Sequence, residues 1–225
     1  MAKKRVTEDL LKDRRRLVKL SIEMENDFSN EDIIPRKGRM SILFFLGITE
    51  NDRFFFFRED ISQIDRANII KISTENILAN LEPYQQILIS YDCDEYYWGA
   101  TYIFVSPPKP NDFLDVVVLE EDTDPIFAIE KDKKIVSKAW TWGENHSAAE
   151  VEVETVEGYR GRGYARQTVS AWAAWQMKKK KIAFFSHEFA NYGSRRLASK
   201  LNLVKIASIF IFYERGNEIL EGGKA

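Results

Sequence analysis

The pattern of apolar and polar positions is clearest in the second half of the chain. Between residues 163 and 179, apolar side chains recur at helical spacing and form a single stripe, which consists of Ala165, Val169, Trp172, Ala173 and Met177. Short apolar runs before this helix predict strands at 115–120, 126–130, 135–142 and 150–156. The pattern after it predicts a strand at 182–186, a helix at 194–201 and a strand at 204–213. This order indicates an α/β (α+β) domain built on a mixed sheet.

The first half of the chain has a less regular pattern. Apolar spacing predicts helices at 7–27 and 73–81, the second of which ends before Pro83. Runs of strand-forming residues predict strands at 41–48, 54–57, 86–91 and 96–105.

A proline-rich segment follows the last of these strands. Residues 106–112 contain Pro107, Pro108 and Pro110, and proline neither continues a helix nor donates to the centre of a sheet. This segment predicts a boundary between an N-terminal α+β region at 1–112 and a second domain at 113–225. The alternative is a long loop inside one domain. We expect the N-terminal region to lie on the substrate side or to bind a partner protein.

Composition and charge narrow the possible classes of function. The 225 residues include 33 basic and 35 acidic side chains, and this balance gives no general field for nucleic acid or an anionic membrane. The N-terminus lacks the apolar run of a signal peptide, and no apolar stretch approaches the roughly 20 residues that span a bilayer. Cys93 is the only cysteine, which fits a reducing cytoplasm. With two distant histidines it offers no cluster of metal ligands, so no metal is expected.

The segment between the predicted strand at 150–156 and the following helix carries the most specific chemistry. Gly161 and Gly163 leave the backbone bare, so that N–H groups and the positive end of the helix can meet an anion. Arg160, Arg162 and Arg166 add positive charge beside the turn. Such a turn favours a diphosphate, although a glycine-rich turn alone is also typical of an ordinary surface.

Two motifs in this region resemble the signatures of the GNAT superfamily of N-acetyltransferases. Arg160–Ala165, which reads Arg-Gly-Arg-Gly-Tyr-Ala, matches the family pattern Arg/Gln-x-x-Gly-x-Gly/Ala. Residues 191–203 resemble the second pattern, Asn-x-x-Ser-x-x-Leu-Ala-x-Lys-Leu-Gly-Phe. The resemblance covers roughly residues 113–215, and residues 1–112 show no such match.

The resemblance implies a GNAT-like, mostly antiparallel mixed sheet with flanking helices, and acetyl-CoA as the co-substrate. A V-shaped opening between the strands at 150–156 and 182–186 would hold the pantetheine arm, and the turn would hold the diphosphate. The residues implied in binding acetyl-CoA are Thr155, Val156, Arg160, Gly161, Arg162, Gly163, Tyr164, Ala165, Asn191 and Ser194.

Three features depart from the family pattern. Asn202 replaces a glycine, but asparagine tolerates the left-handed end of a helix, so we expect this cap to be intact. Ala198 stands where many members carry the tyrosine that protonates the departing thiolate, so that role is not carried over. Residues 121–125 are too few for the helices that the family usually inserts there. Either those helices are lost or residues before Pro107 replace them.

Acetyl transfer needs a base, and the strand at 150–156 offers three acids on one face. Glu152 is the first choice by position and Glu154 the second, although Glu alternating with Val is also typical of a half-exposed strand. A bulge near Glu154 would change the face that each side chain takes. Ser194 is the leading proton donor for the thiolate, and Tyr192 and Tyr213 are alternatives. His187 is a further candidate base.

These features predict an enzyme that transfers an acetyl group from acetyl-CoA to a primary amine of a small molecule or peptide. Transfer would be direct, in a ternary complex, by a cytoplasmic monomer or homodimer that binds neither nucleic acid nor membrane. The alternative is a non-catalytic module that senses acyl-CoA, which the alanine at position 198 keeps open.

Overall fold

The computed structural model describes residues 11–37, 39–75, 77, 81–119 and 124–215, which divide into two compact units. The first unit consists of residues 11–24 and Gly99–Ala207, and the second of Glu25–Trp98 and 208–215. The predicted break between residues 112 and 113 does not coincide with this division, because both sides of it belong to the first unit. A separate role for residues 1–112 stays a prediction.

The described helices and strands are numbered here in chain order. The helices are α1 (Arg14–Glu23), α2 (Gln63–Lys71), α3 (Glu82–Leu88), α4 (Tyr164–Lys178) and α5 (Tyr192–Lys200). The strands of the first half are β1 (Asn26–Ser29), β2 (Asp32–Pro35), β3 (Ile42–Ile48), β4 (Arg53–Phe57) and β5 (Cys93–Ile103). Those of the second half are β6 (Val117–Leu119), β7 (Ile126–Lys131), β8 (Lys134–Glu144), β9 (Ala148–Thr155), β10 (Ile182–Glu188) and β11 (Val204–Glu214).

The elements predicted for the second half are all present. The helix predicted at 163–179 is α4, and its apolar stripe buries Val169, Trp172 and Ala173 in the core of the first unit. Trp172 Nε1 also donates a hydrogen bond to Thr141 Oγ1 at 3.1 Å, which fixes the helix to β8. The predicted strand at 115–120 is shorter in the structure, and residue 120 lies outside the described residues.

The first half contradicts the prediction at two places. The strand predicted at 86–91 is wrong, because α3 and a 3₁₀ turn occupy this segment. Pro83 stands in the first turn of α3, where its missing N–H costs no hydrogen bond, so it begins a helix rather than ending one. The helix predicted at 73–81 is also wrong for the described residues of that range, since the helix lies earlier, at α2.

The helix predicted at 7–27 is shorter in the structure. Leu11 and Lys12 are helical, but the helix is interrupted at Asp13. Asp13 caps α1 by accepting a hydrogen bond from the Arg16 N–H, and β1 follows at Asn26. Residues 7–10 lie outside the described residues. Leu17 and Val18 of α1 are buried, and α1 contacts β9 within the first unit. Residues before Pro107 therefore help to build the unit that holds the predicted site.

The sheet of the first unit runs in the order β5-β10-β9-β8-β7-β6. Its neighbours pair antiparallel except for β9 and β10, which pair parallel. This confirms the mixed, mostly antiparallel sheet. Helix α4 contacts β7, β8 and β9 and covers one face of the sheet. None of the described helices is long and apolar enough to cross a membrane.

The second unit has a core rich in aromatic rings. Strand β3 pairs antiparallel with β4 on one side and β11 on the other. Phe44 stacks on Phe57 at 4.9 Å and on Phe212 at 5.8 Å between ring centroids, and Tyr84 of α3 lies 5.7 Å from Phe212. The strands predicted at 41–48 and 54–57 are therefore present, as β3 and β4.

Candidate functional site

Strands β9 and β10 separate after a short stretch of parallel pairing. The paired residues are Ala148 with Ile182, Ala149 with Ala183, and Glu150 with Phe184. Beyond Glu150, β9 keeps its pairing with β8 as far as Thr155, whereas β10 pairs with β5 as far as Glu188. The facing edges of β9 and β10 are thus left without strand partners, and the V-shaped opening that the resemblance implied is present.

The glycine turn leads from the end of β9 into α4. Gly161 has φ +79° and Gly163 has φ +85°, a left-handed backbone that costs glycine nothing and other residues strain. Gly163 is the residue that precedes the helix, and no side chain caps this end. The first N–H groups of any helix have no partner inside the helix, so those of α4 are left to bind an anion.

A cleft of about 520 Å³ lies between this turn, the free edge of β9 and helix α5. It brings together most of the residues predicted from the sequence, namely Glu154, Thr155, Arg160, Gly161, Gly163, Tyr164, Ala165, Asn191 and Ser194. The chain from β9 to α4 and the start of α5 therefore meet around one space, although 27 residues of sequence separate Gly163 from Asn191.

Two residues predicted to bind the cofactor do not line this cleft. The Val156 N–H donates a hydrogen bond to the carbonyl of Val136 in β8 at 3.0 Å, so this N–H already has a partner. The Arg162 guanidinium donates to the Gly158 carbonyl at 3.1 Å and lies 5.1 Å from the centre of the Tyr159 ring. Arg162 therefore folds back over its own loop, and cofactor contacts by these two residues stay predictions.

The cleft is more basic than the sequence motifs alone indicated. Arg196 and Lys200 of α5 line it together with Arg160 and Arg166. Arg196 and Lys200 were not among the site residues predicted from the sequence. Their spacing of four residues puts them on one face of a helix, and that spacing was the available signal. Four cations around an uncapped helix start suit a ligand that carries more than one negative charge.

Helix α5 begins with a cap that the chain itself supplies. Asn191 Oδ1 accepts a hydrogen bond from the Ser194 N–H at 3.0 Å. This bond leaves the Asn191 amide nitrogen, which can only donate, as the end of the side chain that could reach a ligand. Asn202, just past the helix, has φ +52°, which confirms the predicted left-handed end. Ala198 is buried in the core of the first unit at 4% exposure.

Glu152 and Glu154 lie on the face of β9 that points away from α4, because Val151 and Val153 pack into the core beneath that helix. Glu154 is exposed and pairs with Lys138 Nζ at 3.3 Å. Glu152 does not line the cleft and stands opposite Trp140 in the register of β8 and β9. Burial raises the pKa of Glu152 above its usual value, and the negative charge of Glu154 raises that pKa further.

The irregularity of this strand pair lies in β8 rather than near Glu154. The register shifts between Thr141 and Gly143, which makes Trp142 the extra residue, whereas Glu152 and Glu154 keep unbroken pairing. The bulge that we considered near Glu154 is therefore absent, and both carboxylates keep the same face. The extra residue, Trp142, is exposed.

The remaining candidates lie outside the cleft. His187 is buried, its Nδ1 lies 3.0 Å from the Glu188 carbonyl and its Nε2 lies 3.3 Å from the Tyr102 hydroxyl. Burial lowers the pKa of His187, so it stays neutral near pH 7. Tyr192 is 74% exposed, and Tyr213 belongs to the second unit. The described residues contain no group of three or more side chains that could hold a metal ion.

Several solved structures resemble this chain at low identity. An acetyltransferase from the GNAT family of Colwellia psychrerythraea is 9% identical, with a TM-score of 0.48 over 84% of each chain. A GCN5-related N-acetyltransferase from Kribbella flavida is 12% identical, with a TM-score of 0.48 over 90% of this chain and 96% of that one. A GCN5-related N-acetyltransferase-like protein from Streptococcus suis is 16% identical, with a TM-score of 0.46 over 60% and 69%. No curated protein matches this chain.

The match to a family model is confined to the part of the chain that holds the site. Residues 127–208 match the model of the GNAT acetyltransferase family. This range contains the separating strands β9 and β10, the glycine turn and both helices that border the cleft. The segment 127–208 of this chain is therefore similar to the GNAT acetyltransferase family.

Proposed function

We propose that this protein transfers the acetyl group of acetyl-CoA to a primary amine of a small molecule or peptide. The observation that carries the proposal is the basic cleft at the uncapped start of α4, which continues along the free edge of β9. A diphosphate suits the helix start and the cations, and the amide groups of a pantetheine arm suit an unpaired strand edge. The amine attacks the thioester carbon of acetyl-CoA. Coenzyme A is then released as the free thiol.

Glu152 is the residue that we assign as the base. A protonated amine with a pKa near 10.4 has no free electron pair, so it must lose a proton before it attacks. A carboxylate with a raised pKa accepts a proton more readily than an ordinary one at neutral pH. Glu154, held at the surface by Lys138, is the weaker candidate.

Transfer then proceeds directly between the two substrates. Cys93 is the only cysteine and belongs to the second unit, so no thiol lines the cleft to carry the acetyl group. Backbone N–H groups at the free edge of β9 are suited to stabilise the oxyanion. As the C–S bond breaks, the thiolate takes up a proton, and Ser194 is the hydroxyl side chain of α5 that lines the cleft.

The burial of Ala198 favours a second candidate function. Position 198 offers no hydroxyl group to protonate the thiolate, and its side chain is packed in the core. A protein that binds acetyl-CoA without turning it over would not need such a donor. This alternative is a sensor of acyl-CoA.

The experiment is an incubation with acetyl-CoA and a panel of amines, in which free thiol and acetylated amine are both measured. We expect thiol release that depends on one class of amine. Binding of acetyl-CoA without release in any reaction would contradict the enzyme and favour the sensor. Absence of binding at millimolar concentration would contradict both.

Glu152→Gln tests the base, with Glu154→Gln as its matched control on the same strand. We expect Glu152→Gln to lower kcat by about 100-fold or more, while the control changes it by less than about tenfold. The wild-type rate should rise with pH as Glu152 loses its proton, above the usual pH for a glutamate because its pKa is raised. The pH profile of Glu152→Gln should lack this rise. If the rise remains, Glu152 is not the base.

A further inference from the structure

Lys138 of β8 lies on the same face of the sheet as Glu152 and Glu154. Its neighbour Ala139 packs into the core beneath α4, so the Lys138 side chain points to the opposite face. In the register of β8 and β9, Lys138 stands opposite Glu154. The next residue of β8 on this face is Trp140, which stands opposite Glu152. In the proposed transfer, Lys138 has no role beyond its ion pair with Glu154.

The ammonium group of Lys138 leans along β8 toward the proposed base. Its Nζ lies 3.3 Å from Glu154 Oε2 and 5.0 Å from the centre of the Trp140 ring. Trp140 is two residues farther along β8 and stands opposite Glu152. A nitrogen that lies over this ring is therefore displaced toward Glu152 rather than away from it.

The same nitrogen lies at the rim of the cleft. Glu154 lines the cleft, and the Lys138 ammonium contacts its carboxylate. The Lys138 side chain is 40% exposed, and an exposed ion pair of this kind contributes little to stability, so the side chain can rotate at small cost. Neighbouring strands are about 4.8 Å apart, and the four-carbon stem of a lysine spans more than that distance. Rotation of the side chain can therefore carry Nζ across β9 to its free edge.

We infer that Lys138 is acetylated in cis by acetyl-CoA bound in the cleft of the same chain. The inference rests on the proposed use of acetyl-CoA. It makes Lys138 a modification site, because its side chain is a primary amine of the class that we propose as the acceptor. It also makes Lys138 a competitor of the external amine.

The reaction at Lys138 follows the steps of the proposed transfer. The ammonium group first gives a proton to Glu152, whose raised pKa suits it to accept one. Nζ then attacks the thioester carbon, a new N–C bond forms, and the C–S bond breaks with its electron pair on sulfur. The nitrogen loses a second proton and the sulfur takes one up. Coenzyme A therefore leaves as the thiol, and Lys138 becomes an uncharged amide.

Mass spectrometry of the full chain after incubation with acetyl-CoA, with no amine added, tests the inference. We expect one acetyl group per chain, and proteolytic peptides should place it on Lys138. Lys134 is the matched control within the same molecule, because it is exposed and lies on the same strand. It should react at least about tenfold more slowly, since proximity to the bound thioester favours Lys138.

Two variants and a dilution series test the mechanism of the modification. Lys138→Arg should remove it, because arginine keeps the positive charge beside Glu154 but stays protonated and does not attack the thioester. Glu152→Gln should slow it by about 100-fold. The rate should not depend on protein concentration. A rate that rises in proportion to concentration would mean that one chain modifies another, and the inference would be overturned.

The remaining results separate this inference from the proposed function. If amines of the panel are acetylated while Lys138 stays unmodified, the inference is wrong and the enzyme stands. Acetylation of Lys134 as fast as that of Lys138, or of Lys200 in its place, would also show the inference to be wrong. If neither Lys138 nor any amine gains an acetyl group, the proposed function fails as well.

Discussion

Two helices begin at the same cleft, and their first turns differ in how their N–H groups are satisfied. Helix α5 starts at Asn191, whose side chain accepts the Ser194 N–H. Helix α4 starts at Gly163, which has no side chain, and nothing replaces the missing cap. The Asn191 side chain satisfies one of the first N–H groups of α5, whereas no side chain does so at the start of α4, where an anion could accept these hydrogen bonds beside the arginines. The contrast supports the proposal that the diphosphate binds at the start of α4 rather than at the start of α5.

Reversing one charge at the open helix start should have the largest effect. Arg166 lies in the first turn of α4, is exposed and lines the cleft. Arg166→Glu should lower the affinity for coenzyme A by about 100-fold, because a carboxylate at this position repels the phosphates that the arginine attracts. The same carboxylate suits the positive end of the helix, by about 0.3–1 kcal/mol, so stability should not fall.

Calorimetry and thermal unfolding of the same samples check this prediction. Arg166→Gln is the neutral control, and we expect an intermediate loss of about tenfold. If Arg166→Glu bound coenzyme A as tightly as the wild type does, the diphosphate would not sit at α4.

Adding a methyl group to the glycine turn should have the next largest effect. The Cβ of an alanine at position 163 would meet no atom within 4 Å, so the cost comes from the left-handed backbone and not from a clash. We expect Gly163→Ala to lower the free energy of unfolding by about 1–2 kcal/mol. The affinity for coenzyme A should also fall, because the backbone of the turn changes its conformation.

Gly158 provides the matched control, because it also has open space around it but no positive φ. Gly158→Ala should unfold at the same denaturant concentration as the wild type within error. Equal losses from the two substitutions would mean that the φ of Gly163 is not the cause.

Changing the capped start should have the smallest effect and should separate two roles of Asn191. Asn191→Ala removes the acceptor for the Ser194 N–H and should destabilise the protein by about 1 kcal/mol. Asn191→Asp keeps the acceptor but replaces the amide donor, so stability should be preserved while coenzyme A binds more weakly. If calorimetry shows that Asn191→Asp binds coenzyme A with unchanged affinity, the predicted contact between Asn191 and the cofactor arm is wrong.

Features that depend on neighbouring residues were predicted correctly from the sequence, whereas a feature that depends on distant residues was not. The stripe of α4 and the left-handed Asn202 were predictable because neighbouring residues determine them. The error at 86–91 came from treating Pro83 as the end of a helix, when the same residue suits a first turn. A short apolar segment after a proline fits a strand or a helix, and burial against distant residues decided between them.

The candidate site shows the same limit. The glycine turn and Asn191 were found because each lies within a short motif, whereas Arg196 and Lys200 became part of the site only when α5 packed beside the turn. Glu152 and Glu154 are equivalent by alternation along β9. The pairing of β8 with β9 puts Lys138 next to Glu154, and burial raises the pKa of Glu152.

The sequence by itself determined the order of elements in the second half, the glycine turn and the resemblance to an acetyltransferase family. Those features depend on residues within a few positions of one another, whose backbone preferences act locally. The tertiary structure decided where β9 and β10 separate, which carboxylate is buried, and that Lys138 lies beside Glu154. These depend on strand pairing and desolvation among residues far apart in the chain, which a linear pattern does not encode.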